Sequence, residues 1–169
     1  MKFPTQRDCV GFYGDPVGNG GAVQSPVWFR ASIVYVEPRW AMRMGSIEIT
    51  RIPVHFKIED AVNDVFDEIA GSFSIAQIKD MGMDQFGGSN NFRPMRGGTA
   101  LSMHSFGVAI DFDPARNGLG DRTPHLAKYP RLLEIFAAHG AVWGGDWDGD
   151  GDTLDERRCD GMHFQWARL

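Results

Sequence analysis

An α+β fold in a single domain is what the amino-acid sequence predicts. The chain has 169 residues, with no internal repeat and no dividing linker, which suits one compact domain over residues 1–169. Segments with helical and with strand periodicity are mixed without regular βαβ alternation. Twelve Phe and five Trp residues supply large side chains for its core.

The first third of the chain predicts an arm and two strands. Residues 1–26 are rich in Gly and Pro, which indicates an irregular N-terminal arm. The apolar run 27–36 predicts a strand. Residues 46–57 alternate between apolar and polar side chains in places, and Pro53 interrupts this second strand.

The clearest helix is predicted over residues 59–70. Its apolar side chains recur at helical spacing, acidic residues crowd its first turn, and Gly71 stands where a C-terminal cap belongs. Residues 73–79 predict another strand, and the Gly-rich stretch after it, to about residue 91, predicts a turn.

A second helix is predicted from Pro130 to His139. Proline is favoured in the first turn of a helix, and Gly140 follows the end of this one. A short apolar piece at 141–143 comes next, and residues 144–158 form a polar loop rich in Gly and Asp.

Two predicted strands carry polar side chains on one face and apolar side chains on the other. In residues 107–113, Asp111 lies on the face opposite Val, Ile and Phe. In residues 162–167, His163 and Gln165 share a face. Both strands therefore expose polar groups to one side of the sheet that contains them.

Charge and hydropathy exclude several function classes. The net charge is −5, the isoelectric point is near 5.5 and there is no basic stripe, which argues against binding to nucleic acid. No stretch approaches the ~20 apolar residues of a membrane span, and the N-terminus lacks the apolar region of a Sec signal. Cys9 and Cys159 form no C-x-x-C pair, and a reduced state is favoured over one disulfide between them.

Three residues are candidate ligands of a catalytic zinc ion (Zn²⁺): His104, Asp111 and His163. Zinc in catalytic sites usually takes three protein ligands and leaves a fourth position for water. Two neutral imidazoles and one carboxylate leave one net positive charge on the metal, which acidifies the water and polarises a carbonyl.

The spacing of these residues predicts where each one lies. His104 and Asp111 are seven residues apart, which would put them on opposite faces of one straight strand. We therefore expect His104 before the strand, on a turn released by Gly107, and Asp111 on the strand itself. His163 can then face Asp111 if the two strands are neighbours.

Hydrolysis also needs a general base for the bound water, and Asp160 is the candidate. It lies three residues before His163, and a turn at Gly161 can direct its carboxylate toward the metal-bound water.

Structural roles remain alternatives for these residues. A lone histidine is more often a surface or core residue than a ligand, and a structural salt bridge is an alternative for Asp111, because an unpaired carboxylate in a hydrophobic run is costly. The remaining histidines are interpreted as structural: His55, His125 and His139.

Three motifs in this order resemble a known family: SMHSFGVAIDFDP, HGAVWGGDW and DGMHFQ. They are similar to the zinc D-Ala-D-Ala carboxypeptidase and L-alanyl-D-glutamate endopeptidase family, nearest to the branch of phage endolysins and related wall hydrolases. The similarity covers about residues 51–169. It implies a small fold of the hedgehog and D-Ala-D-Ala metallopeptidase type, with a central antiparallel sheet and flanking helices.

The resemblance also implies roles for individual residues. It implies zinc on the three ligands above and the catalytic carboxylate at Asp160, where the carboxypeptidase and dipeptidase branches tend to have Glu. The segment NFRPMRGG resembles the family's arginine segment, in which an Arg holds substrate or stabilises the oxyanion, with Arg93 the first choice and Arg96 the second. Ser102 is expected to orient the site or touch substrate, with a turn residue as the alternative. Trp143 and Trp147 are candidates to line the cleft, with core packing, the commoner outcome for such residues, as the alternative.

The expected function is that of a zinc metallopeptidase acting on the stem peptide of peptidoglycan. The first hypothesis is a cell-wall lytic endolysin that cuts L-Ala–D-Glu, made in the host cytoplasm and acting on the wall after release. A D-alanyl-D-alanine carboxypeptidase is the alternative, and a non-catalytic zinc-dependent wall-binding or virion protein is an alternative of another class. We expect a monomer, without a separate wall-binding module and without membrane insertion.

The loop before Asp160 departs from the family pattern because it is longer and acidic. Asp148, Asp150 and Asp152 recur at alternate positions, and Asp155 and Glu156 follow closely. Such spacing imitates the start of a Ca²⁺-binding loop, although the turn glycine and the final bidentate Glu are missing. A solvated acidic loop is the favoured interpretation, and a Ca²⁺ site is the alternative.

Overall fold

The computed structural model describes residues 2–153, 156 and 158–169, which form a mixture of helices and antiparallel strands, so the α+β prediction is confirmed. The helices are α1 Cys9–Tyr13, α2 Pro26–Ser32, α3 Glu59–Ser72, α4 Ile75–Met81 and α5 Pro130–Ala138. The strands are β1 Ile33–Val36, β2 Met42–Met44, β3 Ile47–Ile49, β4 Ile52–His55, β5 Phe86–Gly88, β6 Ala109–Phe112, β7 Val142–Trp143 and β8 His163–Gln165. Short 3₁₀ turns lie at Gln6–Asp8, Phe56–Ile58, Met103–Phe106 and His125–Lys128.

The central sheet has four antiparallel strands in the order β5-β6-β8-β7. In the register of β6 against β8, Asp111 lies opposite His163 and Ile110 lies opposite Phe164. Residues directly opposite each other share a face of the sheet. The apolar pair therefore faces the core, and the polar pair faces the other side.

An aromatic core holds β6 and β8 against the helices. Phe136 of α5 stacks on Phe164 of β8 with ring centroids 3.9 Å apart. Phe112 of β6 contacts Phe136 at 6.1 Å and Phe66 of α3 at 6.5 Å. All four rings are buried, and burial of each contributes about 1.5–3 kcal/mol. The polar face of the sheet thus rests on a rigid support.

Two smaller antiparallel pairs flank this sheet, β1 with β4 and β2 with β3. Pro53 lies within β4 opposite Tyr35. Its carbonyl accepts a hydrogen bond from Ser89 Oγ at 2.8 Å. A proline is tolerated here because β4 pairs with one neighbour only, which leaves one edge without ladder bonds.

The prediction of a strand over residues 27–36 is wrong for its first part, which is helix α2. Ser25 caps this helix by accepting a hydrogen bond from Trp28 N at 3.3 Å, and Pro26 occupies the first turn. A serine cap followed by proline favours a helix start. Only residues 33–36 are extended, as β1.

The prediction of a strand over residues 73–79 is also wrong, because α4 occupies most of this range. Ser74 Oγ accepts from Gln77 N at 3.3 Å, and Gln77 Oε1 accepts from Ser74 N at 2.9 Å. This reciprocal capping box satisfies two helix N–H groups and outweighs the strand propensity. Gly71 does not cap α3, which continues through it to Ser72.

The N-terminal segment is more ordered than the irregular arm that the sequence predicts. It contains α1, whose Cys9 and Tyr13 are buried, and Tyr13 OH donates to Trp166 O at 2.6 Å. Both cysteines, Cys9 and Cys159, are free and buried, as expected for a reduced state. Among the described residues, no helix combines the length and the apolar character needed to cross a membrane.

Candidate metal centre

The three candidate ligands come from two strands and one turn. His104 lies in the 3₁₀ turn before β6, as predicted. Gly107 ends the turn in the left-handed region at φ 64°, where a Cβ atom would lie 2.6 Å from Ile33 Cδ1. The left-handed backbone conformation favours glycine, and the backbone N of His55, 3.2 Å from the same Cβ position, leaves little room for a side chain. The turn brings His104 back over the face of the sheet that carries Asp111 and His163.

Three potential ligand atoms converge on this face. His104 Nε2 and His163 Nδ1 lie 3.2 Å and 3.0 Å from Asp111 Oδ1, and 3.2 Å from each other. Both imidazoles are buried and the carboxylate is half-buried. The described ion-pair partners of Asp111 are these two histidines, with no Lys or Arg among them.

Hydrogen bonds at the far ring nitrogens determine the tautomers of both histidines. His104 Nδ1–H donates to the carbonyl oxygen of Ser89 at 2.7 Å, which leaves Nε2 with its lone pair. Gln165 Nε2 donates to Ala167 O at 2.6 Å, so its Oε1 faces His163 and accepts from His163 Nε2–H at 3.1 Å. The lone pair of His163 Nδ1 is thereby directed at Asp111.

Three electron-rich atoms thus face one another with no hydrogen between them when both imidazoles are neutral. Burial opposes ionisation of Asp111, but the two adjacent imidazoles, which donate to it once they are protonated, outweigh burial and hold its pKa below the usual range. Burial opposes protonation of His163, but hydrogen bonding to Asp111 and the charge of that carboxylate raise its pKa. A cation bound among the three atoms would relieve the repulsion between their lone pairs. Two imidazole nitrogens and one carboxylate oxygen fit zinc.

Asp160 lies beside this cluster, in the connection from β7 to β8. Its backbone N donates to Gly144 O at 2.6 Å, and its carbonyl accepts from His163 N at 3.0 Å. The Oδ1 atom of its side chain is buried and has no hydrogen-bond partner among the described residues. Burial raises the pKa of the Asp160 carboxyl. The charge of His163 opposes this shift, and the charge of Asp111 adds to it. A buried acceptor without a partner calls for a water or a ligand donor.

A cleft of about 410 Å³ opens onto the cluster. Its wall includes Asp111, Asp160 and His163, so the candidate metal centre faces open space. The four residues that the sequence singled out for substrate also line it: Arg93, Arg96, Ser102 and Trp147. The remaining lining residues are Gln6, Met95, Met103, Leu119, Glu156, Arg158, Met162, Gln165 and Leu169.

Ser102 and Trp147 contact the metal-centre residues directly. Ser102 Oγ accepts from His104 N at 3.4 Å and caps the turn. The ring centroid of Trp147 lies 5.8 Å from that of His163. Trp143, in contrast, packs in the core against Phe164 and donates its Nε1–H to a backbone carbonyl.

Arg93 and Arg96 belong to a loop that folds back on itself. Pro94 pairs with Leu101, and Arg93 N donates to Ser105 Oγ at 2.9 Å. Arg93 Nη1 donates to the carbonyl of Pro94 at 3.3 Å. Within the described part of the chain, neither guanidinium pairs with a carboxylate. Both cations therefore stay free to meet a ligand in the cleft.

The remaining histidines lie outside the metal cluster. His55 Nε2 donates to Tyr13 O at 2.9 Å, and its Nδ1 accepts from Lys57 N. His139 lies 2.9 Å from Glu68 Oε2, which ties α5 to α3. His125 Nε2 lies 3.0 Å from an Arg116 nitrogen. These contacts agree with structural roles.

The acidic loop brings together a different trio from the one predicted. The carboxylate oxygens of Asp146, Asp148 and Asp150 lie within 4.8 Å of one another, whereas Asp152 is outside this group. Asp146 accepts backbone N–H bonds from residues 149–151, so it organises the loop. Asp146 extends the same alternate spacing by one step, so the sequence pattern could have identified it. Asp155 lies outside the described residues.

Comparison with known proteins adds one match. Residues 96–166 match the family model for D-alanyl-D-alanine carboxypeptidase, which is less than half of the chain. The matched part contains the three candidate ligands and Asp160 but excludes Arg93. No curated protein and no solved structure matches the chain.

Proposed function

We propose that this protein is a zinc peptidase that hydrolyses a peptide bond in the stem peptide of bacterial peptidoglycan. The observation that carries the proposal is the meeting of three lone-pair atoms, from His104, Asp111 and His163, beside the unpartnered Oδ1 of Asp160. The match of residues 96–166 to the D-alanyl-D-alanine carboxypeptidase model supports the same substrate class.

The three ligand residues and Asp160 would divide the chemistry between them. Zinc, when held by these ligands, supplies Lewis acidity that polarises the substrate carbonyl and activates a water. Asp160 would accept a proton from the attacking water and deliver it to the departing amine. The raised pKa of its carboxyl suits this exchange, because a weakly acidic group holds the proton between the two steps.

Other cleft residues would position the substrate. Arg93 is our first candidate, and Arg96 our second, for holding a substrate oxygen or stabilising the oxyanion, since both guanidiniums line the cleft. Ser102 would act through the turn that presents His104, because its hydroxyl caps that turn. Trp147 would shield the His163 side of the cleft from water.

Two bonds in the stem peptide compete as the site of cleavage. We favour L-Ala–D-Glu, cut by a cell-wall lytic endolysin, because position 160 is Asp where the carboxypeptidase branches of the similar family tend to have Glu. The second candidate is the terminal D-Ala–D-Ala bond, supported by the description of the matching family model. A binding protein without turnover is disfavoured, because binding alone has no use for the unpartnered carboxylate of Asp160.

Digestion of defined peptidoglycan by the zinc-loaded protein tests the proposal. Mass spectrometry of the fragments separates release of free D-Ala from cleavage between L-Ala and D-Glu. The Asp160→Ala variant is the control for contaminating hydrolases. Zinc bound at one equivalent without any fragment from purified sacculi would refute a peptidase and revive the binding protein.

A further inference from the structure

Arg158 is a cleft residue that the proposed zinc chemistry does not use. It lies two residues before Asp160 and lines the same cleft. Its side chain reaches across to the opposite wall, where Nη2 donates to the carbonyl oxygen of Arg96 at 2.8 Å. Its own carbonyl accepts the indole N–H of Trp147 at 2.8 Å. Arg158 therefore links the loop of Arg96 to Trp147, and its exposed guanidinium keeps most of its donors free.

Three guanidiniums without a carboxylate partner in the described part of the chain line the cleft. Arg93, Arg96 and Arg158 line it, and none of them pairs with a carboxylate among the described residues. The carboxylate of Glu156 lines the cleft too, but it accepts backbone N–H groups from residues 147 and 148. Asp111 and Asp160 also line the cleft, but they belong to the candidate metal centre and its proposed base. The three guanidiniums are therefore the cleft groups that fit an anionic ligand.

The remaining donors of Arg158 suit a carboxylate. A guanidinium presents five N–H donors in a planar fork, and the contacts within the described residues use one of them. The free edge can bind a carboxylate through two parallel hydrogen bonds. The thioether and aliphatic side chains of Met95, Leu119 and Met162 line the same cleft and suit short methyl-bearing groups.

We propose that Arg158, together with Arg96, forms a carboxylate-recognition subsite, so that the protein selects stem peptides with a free carboxylate next to the scissile bond. The α-carboxylate of a γ-linked D-Glu has this chemistry, and its carboxamide lacks the charge. The substrate class rests on the proposed function, whereas the subsite rests on the uncommitted guanidiniums of the cleft.

Two synthetic stem peptides that differ only in this carboxylate or carboxamide test the subsite. Binding is measured by calorimetry on zinc-loaded protein in the Asp160→Asn background, so that peptide is not consumed. We expect the carboxylate peptide to bind on the order of ten- to a hundred-fold more tightly, as for a charge-assisted hydrogen bond. Arg158→Gln should remove most of this preference, and Arg158→Lys should retain part of it.

The matched control is Arg51→Gln, which removes the same charge from an exposed position beside Tyr35. It should leave the preference unchanged. Equal binding of both peptides, no binding of either, or full preference in Arg158→Gln would overturn the subsite. If Arg158→Gln fails to fold, Arg158→Lys and Arg96→Gln decide, and undiminished preference in both overturns it.

Turnover of the carboxylate peptide by the unmodified zinc-loaded protein is scored separately. Selective binding without hydrolysis would support the subsite and refute the peptidase. Hydrolysis without selective binding would support the peptidase and overturn the subsite.

Discussion

Replacement of Gln165 by leucine tests the proposed zinc site without removing a ligand. Leucine suits this position, where Gln165 is 1% exposed. The change removes the acceptor for His163 Nε2–H and the donor to Ala167 O. His163 can then carry its proton on Nδ1 instead, and that tautomer has no lone pair to offer zinc.

The size of the effect follows from these two hydrogen bonds. Loss of the partner that orients a metal-binding histidine typically weakens metal affinity by about 10- to 100-fold. Each buried group left without a partner also lowers the free energy of unfolding by about 1–3 kcal/mol. Gln165→Glu is the matched control, because it keeps an acceptor for His163. It loses the donor to Ala167 O and adds a buried negative charge, which lowers stability further but cannot weaken the binding of a cation.

Zinc affinity is measured by competition with a chelating dye, and stability by thermal denaturation of the metal-free protein. We expect both variants to lose stability but only Gln165→Leu to lose zinc affinity. Unchanged affinity in Gln165→Leu, or an equal loss in Gln165→Glu, would refute the reasoning about the tautomer.

Four further predictions use other parts of the structure. Alanine should abolish zinc binding and turnover together when it replaces any one of the proposed ligands His104, Asp111 and His163. Full zinc occupancy in any of these variants would contradict the assignment. Asp160→Ala should keep zinc but lower turnover on the order of 10²–10⁴-fold, and a near-normal rate would exclude it as the base. Burial lowers the pKa of His55 from 6.5 to about 4; the charge of Lys57 adds to this shift, and the hydrogen bond to the Tyr13 carbonyl opposes it. As the pH falls, the unfolded state therefore binds a proton before the folded state does. The free energy of unfolding should therefore fall as pH drops from 6.5 to about 4, and His55→Asn should flatten this fall in acid titrations; an equal slope in both proteins would contradict it. If the acidic loop binds Ca²⁺, millimolar Ca²⁺ should raise activity and melting temperature, and Asp148→Asn with Asp150→Asn, two members of the grouped trio, should remove both effects. Calorimetry without a binding signal would contradict a Ca²⁺ site.

The geometry of the candidate metal centre could be predicted in part from the sequence, because simple periodicities govern it. The odd separation of His104 and Asp111 requires a turn between them, and Gly107 provides one. The pairing of β6 with β8 is a long-range contact, which local patterns do not specify. The prediction that His163 faces Asp111 therefore depended on the assumption that these two strands are neighbours.

The errors have specific physical causes. A short apolar run fits a strand or a buried helix equally well, and the signals that decide between them in α2 and α4 are caps: Ser25 with Pro26, and Ser74 with Gln77. The partner of His104 is the backbone carbonyl of Ser89, a group that every residue type supplies, so no side-chain pattern could predict it.

The two native thiols have a practical consequence for experiments on the cleft. Burial and the charge of Asp8 raise the pKa of Cys9 to about 12. Burial and nearby carboxylates raise the pKa of Cys159 to about 11. Thiol reagents attack the thiolate, so both cysteines should stay unlabelled in the folded protein. A cysteine introduced at Gly98, an exposed position in the loop that carries Arg96, would then take a fluorophore or spin label alone. The wild-type chain thus provides a ready background for site-specific probes that follow peptide entering the cleft.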